Sequence, residues 1–202
     1  SVILNTCLSS SVSWGMASSR MSDEALLSQC EEAVTRLIEL KINFLAIDFD
    51  QTIVDVHTHG QWKGSAHELS THVRPLFQHL IPAAITADIK VAVVTFSPQC
   101  GQIKDVLEII FPEFSNGIVV RGRDRTWSYL GAGSKEGKQS HMASAVEEIE
   151  AMHTKLDISR NTTLLIDDDV SNIKVALLDG VRAIWLNPSK SHHLLKDIQM
   201  LV

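Results

Sequence analysis

Cysteine is scarce in this chain: three residues in 202, Cys7, Cys30 and Cys100, widely spaced and in no CxxC pattern. An odd, scattered set of thiols excludes a disulfide framework and a cysteine-based zinc cluster, and it suits a reducing compartment. Long apolar runs are missing too. None approaches the roughly 18 residues that a membrane span needs. Positive charge is not in excess: 18 Lys and Arg stand against 24 Asp and Glu, a net charge of -6. That balance argues against non-specific binding to nucleic acid or to an anionic membrane. Acid is absent from the N-terminal stretch before Asp23, which is instead Ser-rich. Residues 1–21 therefore read as a leader or tag-like extension, either a transit-peptide remnant or upstream sequence ahead of a start at Met16 or Met21. The expected location is cytoplasmic, with organellar import if that stretch is a leader remnant. No repeat, low-complexity tract or linker divides residues 22–202, so they read as one domain.

The composition of that domain is ordinary for a globular protein, 45% hydrophobic and 21% charged. Residues 22–40 carry acids early and apolar residues at helical spacing. INFLAIDF is a short continuous apolar run, the pattern of a strand buried on both faces. Residues 55–66, with Gly60 and Gly64, read as a loop or small flap. Val73 to Ala87 predicts a helix with Pro75 near its start and a kink at Pro82. VAVVTF is a second strand, Gln99 to Phe111 a helix closed by Pro112, and GIVV a third strand. Residues 121–137 are polar and Gly-rich. Gln139 to Leu156 predicts a helix, TTLLID a fourth strand, Ser171 to Leu178 a helix closed by Gly180, VRAIWL a fifth strand, and Ser191 to Met200 a last helix. Strands alternating with helices predict an α/β fold: a Rossmann-like, doubly wound, mainly parallel five-stranded sheet with helices on both faces.

In such a sheet ligands bind at the carboxyl ends of the strands. The first strand ends in Asp48 and Asp50. The second ends in Thr95, with Ser97 two residues on. The fourth ends in Asp167, Asp168 and Asp169, and Lys135 and Lys138 precede the helix before it. Clustered carboxylates raise each other's pKa unless a cation neutralises them. An all-oxygen donor set suits Mg²⁺, which takes one or two carboxylates, waters and substrate phosphate. Phosphoryl transfer asks a protein for little beyond positioning and charge stabilisation, and a carboxylate can serve as its nucleophile. Two residues apart on an extended strand, Asp48 and Asp50 would share a face, one to attack and one to handle the proton.

These motifs resemble those of the haloacid dehalogenase superfamily of phosphatases, and occur in its order: AIDFDQT (Ala46 to Thr52), VAVVT (Val91 to Thr95), a lysine, then LLIDDDVSN (Leu164 to Asn172). KQSHM followed by IDDDVSN looks like the small magnesium-dependent branch. The resemblance covers about residues 42–187. It implies a Mg²⁺-dependent phosphomonoesterase with Asp48 as nucleophile and metal ligand. Asp50 would be general acid and base, its carbonyl touching the metal. Thr95 would bond the transferring phosphoryl group and Lys138 would steady the charge, with Lys135 as its rival. Asp168 would complete the metal site beside Asp167, and Asn172 would stand behind them. A catalytically silent binding or regulatory module on the same fold is the alternative.

The segments between motifs are too short for a large cap domain, so the resemblance points to a capless member with an open site. Such a site admits a phosphorylated substrate, small molecule or phosphoprotein, and a partner subunit of a homo-oligomer could cover it. HTHGQW and RDRTWSYL lie where they could touch substrate. Ser97 and Arg123 are candidate substrate contacts; Arg121, Arg123 and Arg125 could clamp an anion or form a solvated loop. Neither His57 and His59 nor His192 and His193 have helical ligand spacing, and they read as surface residues. Cys100 reads as structural.

Overall fold

The short, mostly apolar runs form strands whose central residues are buried on both faces, with polar residues confined largely to their ends. β1 (Phe44–Ile47), β2 (Lys90–Val94), β3 (Ile118–Arg121), β4 (Thr163–Asp167) and β5 (Arg182–Trp185) make one five-stranded, wholly parallel sheet in the order β3-β2-β1-β4-β5. The computed structural model describes residues 14–202, with side chains from residue 23 onward. The expected extension at residues 1–21 lies outside the described residues up to residue 13, and from Trp14 the chain is already helical.

Alternate residues of each strand enter two different cores. Leu45, Ile47, Val91, Val93, Leu164 and Ile166 face one side. There they pack on α1 (Trp14–Glu39), α3 (Pro75–Thr86), α4 (Cys100–Ile110) and α7 (Leu194–Gln199). Phe44, Ala46, Ala92, Val94 and Leu165 face the other, under α5 (Gln139–Met152) and α6 (Val170–Leu178). The architecture is therefore doubly wound, as the alternation of strands and helices predicts, and no cap domain lies over the sheet among the described residues. No described helix is long and apolar enough to cross a membrane.

Several boundaries differ from the sequence reading. A short helix, α2 (Ala66–Ser70), follows the flap, capped by the Ser65 hydroxyl accepting from Glu68 N. Pro75 opens α3 where its missing N–H costs nothing, and Pro82 lies inside the helix. α5 stops at Met152, four residues early, because His153 leaves helical geometry at φ -128°. The expected last helix is two pieces, a 3₁₀ turn over Pro188–His193, itself kinked at Lys190, and then α7.

The order β3-β2-β1-β4-β5 means that the chain builds outward from β1 on one side, then crosses back and builds outward on the other. The connections leaving β1 and β4 diverge to opposite faces, and a crevice opens at their carboxyl ends.

Candidate functional site

Asp48 takes its place because β1 ends at Ile47 while its backbone N–H still donates to Ile166 O of β4, at 2.9 Å. Beyond it the chain does not run on as a strand. Val54 N donates to Phe49 O in a wide turn, with Gln51 in the left-handed region at φ 60°. Asp48 and Asp50 thus do not share a strand face. The fully buried Phe49 anchors the turn in the core, which lifts Asp50 out toward the flap.

Lys138 arrives from the other side. Gly137 sits at φ 53°, where a Cβ would crowd Asn172 and Val175, so the loop passes close to α6 before α5 begins. The lysine side chain is 1% exposed, and its amine donates to Asp48 Oδ1 at 2.5 Å and to Val94 O at 2.7 Å. Asp167 Oδ2 is 3.8 Å away. A cation buried this far needs such partners, and this position belongs to Lys138 rather than Lys135.

The three consecutive aspartates separate by geometry. Asp167 is buried, its carboxylate accepting from Asn172 Nδ2 at 2.9 Å and from Asp169 N at 2.8 Å. Asp169 turns away to cap α6, accepting from Ser171 N at 2.7 Å. Asp168 is half-buried, and its carbonyl accepts the Trp185 indole N–H at 2.6 Å. Asp48, Asp167 and Asp168 each bring a carboxylate oxygen into one group within 4.8 Å.

Burial pushes all three acids up. For Asp48 the proximity of Lys138 partly offsets it. Asp167 rises to about 7 and Asp168 to about 6, each through desolvation and then repulsion from Asp48. One ammonium, facing Asp48 and Asp167, stands against three clustered carboxylates that resist ionising together. A small hard cation fits that donor set. The Asp50 carboxylate is outside this group. It accepts from the Thr58 hydroxyl, 2.9 Å from both oxygens, and from Thr58 N at 3.2 Å, with His57 Nδ1 at 3.1 Å.

Thr95 follows the last residue of β2 and accepts from Ser97 N at 3.1 Å, which leaves its own hydroxyl proton to donate. Asp48, Asp50, Thr95, Ser97, Lys138, Asp167 and Asp168 all line one open cavity of about 530 Å³, together with His57, His59, Phe96 and Pro98. The flap histidines are exposed, as expected, and they also line the cavity: His57 and His59 stack at 4.1 Å, with His57 beside Asp50. His141 is buried, with both ring nitrogens unpartnered, and its pKa falls to about 4 through burial and the nearby cations Lys138 and Arg123. Of the three arginines, Arg121 is taken by Glu148 and Ser144, while Arg123 lies over the Phe96 ring. The sequence reading placed Thr58 in the flap without giving it a role and missed Phe96, because their partners, Asp50 and Lys138, meet them only across turns. Cys100 is buried with its pKa raised to about 11, mainly by desolvation, which leaves it an inert thiol.

No family model matches the chain, and no curated protein matches it. Among solved structures it is similar to an uncharacterized protein from Corynebacterium glutamicum, at 14% identity and a TM-score of 0.45, over 80% of this chain and 97% of that one. That likeness carries no functional argument.

Proposed function

We propose that this chain is a Mg²⁺-dependent phosphomonoesterase working through an aspartyl-phosphate on Asp48. The observation that carries the reading is the gathering of the Asp48, Asp167 and Asp168 carboxylates in one cavity, with the buried amine of Lys138 against Asp48 and Asp167 and the Thr95 hydroxyl in the same lining. It agrees with the motif order that resembles the haloacid dehalogenase superfamily. Asp48, Asp167 and Asp168 would hold Mg²⁺, with the Asp50 carbonyl as the further contact implied by the resemblance. The ion would neutralise the acids and the phosphate oxygens.

An Asp48 carboxylate oxygen attacks phosphorus while the bond to the leaving oxygen breaks, and protonated Asp50 gives that oxygen its proton. Water then attacks the acyl phosphate, Asp50 takes its proton, and inorganic phosphate leaves with Asp48 restored. Lys138 favours the ionised form of Asp48 against the burial that opposes it and, with the Thr95 hydroxyl, steadies the charge on the transferring group. Thr58 holds Asp50 in the orientation from which it acts.

The test is phosphate release from nitrophenyl phosphate with Mg²⁺ and with excess chelator. Release should depend on the ion, and Asp48→Asn should lower it by at least roughly a thousandfold with the fold intact by circular dichroism. Activity retained by D48N, or undiminished by chelator, would overturn the mechanism.

A further inference from the structure

The cations near the site differ in what they already hold, and of them Lys138 alone lines the cavity. Lys138 is committed to Asp48 and Val94 O. Arg74 donates to Thr52 O, Gln51 O and Ser191 Oγ. Arg121 holds Glu148 and Ser144. Arg123 alone of these has a guanidinium with no ion pair or hydrogen bond among the described residues; it lies 4.1 Å from the centroid of Phe96, a residue lining the cavity.

Its position is defined by the backbone. Arg123 N donates to Ser97 O at 3.0 Å, and a Cβ on the preceding Gly122 would strike that same carbonyl. The segment is thus pressed against the loop that carries Thr95, Phe96 and Ser97. A guanidinium stacked on a ring keeps its in-plane N–H fork free for a planar or tetrahedral oxyanion. Lys138 Nζ contacts the same ring at 4.2 Å, so the two cationic heads are no farther apart than twice that contact.

We propose that Arg123 forms a subsite for a second anionic group, so that the preferred substrate is a small phosphomonoester carrying a carboxylate or a second phosphoryl a few bonds from the one transferred. This rests on the phosphomonoesterase reading of the cavity. A neutral alkyl or sugar phosphate would leave the fork unmatched beside the site. The short reach between the two cations favours a small molecule over a phosphopeptide, whose flanking acids stand farther from the phosphoryl group.

The experiment compares kcat/KM, with Mg²⁺, for matched pairs: phosphoglycerate against glycerol phosphate, and a hexose bisphosphate against the hexose monophosphate. Nitrophenyl phosphate release establishes the chemistry separately. The member with the second anion should be preferred roughly tenfold, and the two pairs tell carboxylate from phosphoryl. Arg123→Met should erase the preference and Arg123→Glu should invert it; the exposed position lets both fold. The subsite is overturned, with the phosphatase standing, if wild type shows no preference, if R123M keeps it, or if acidic phosphopeptides outrun both pairs. Failure to release nitrophenolate at all would overturn the phosphatase reading and the subsite with it.

Discussion

Lys138 shows how much one side chain can carry. Its amine is the only cation within reach of the Asp48 and Asp167 carboxylates among the described residues. Lys138→Met should leave buried acids uncompensated, at a cost of about 3–5 kcal/mol in metal-free protein. Turnover should fall on the order of a hundredfold or more. Urea denaturation in chelator, repeated with Mg²⁺, reads the stability part, and the ion should return much of what the substitution loses. Equal stability of wild type and K138M in chelator would show that the amine does not offset the acids. The aspartates of AIDFDQT and IDDDVSN were legible in the sequence, because charge at the end of an apolar run is anomalous. The choice between Lys135 and Lys138 was not, because it turns on the left-handed backbone at Gly137. Likewise the division among three adjacent aspartates follows from which one caps α6.

The flap illustrates dependence of a site on an element with almost no apolar content. Gly60 sits at φ 66°, and a Cβ there would lie 2.8 Å from Pro98 Cδ. Gly60→Ala should therefore destabilise by about 1 kcal/mol or more and displace the flap. Because Thr58 holds Asp50, kcat should fall several-fold, more than KM rises. Steady-state kinetics and thermal melting measure both effects; a variant with unchanged kcat would show that the flap does not orient Asp50. Period and composition revealed the strands and long helices, but not α2, the wide turn after Asp48, or the kink at Lys190. Those are short elements made by single hydrogen bonds and single dihedral angles, which leave no periodic trace.

The assembled molecule stores charge repulsion at its centre, and this has a pH signature. Asp167 and Asp168 are raised from 3.8 to about 7 and about 6. Between those limits the folded state binds more protons than the unfolded state, so stability falls as pH rises through the window. This is opposite in sign to the usual ion-paired carboxylate. In chelator the loss between about pH 4 and about pH 8 should be on the order of 4 kcal/mol, chiefly from the buried Asp167, since solvent screens the half-exposed Asp168. Mg²⁺ should stabilise the protein strongly near the upper limit and little near the lower, because the acids must ionise to bind it. Calorimetric melting with and without Mg²⁺ across that range checks the sign; a magnesium effect independent of pH would remove the acids as ligands.

Alternation of apolar runs with amphipathic segments was enough to specify a parallel sheet between two helical layers, since strands this apolar cannot face water. Strand order was enough to send Asp48, Thr95 and Asp167 to one edge, since a doubly wound sheet brings its strand ends together. Which oxygen faces which cation depended on packing across the chain. Asp50 met Thr58 only when the flap folded over the turn, and Arg123 met Phe96 only when residues 122–123 pressed against the loop after β2. Such contacts join segments whose local patterns are independent of each other, so only the closed core brings them within bonding distance.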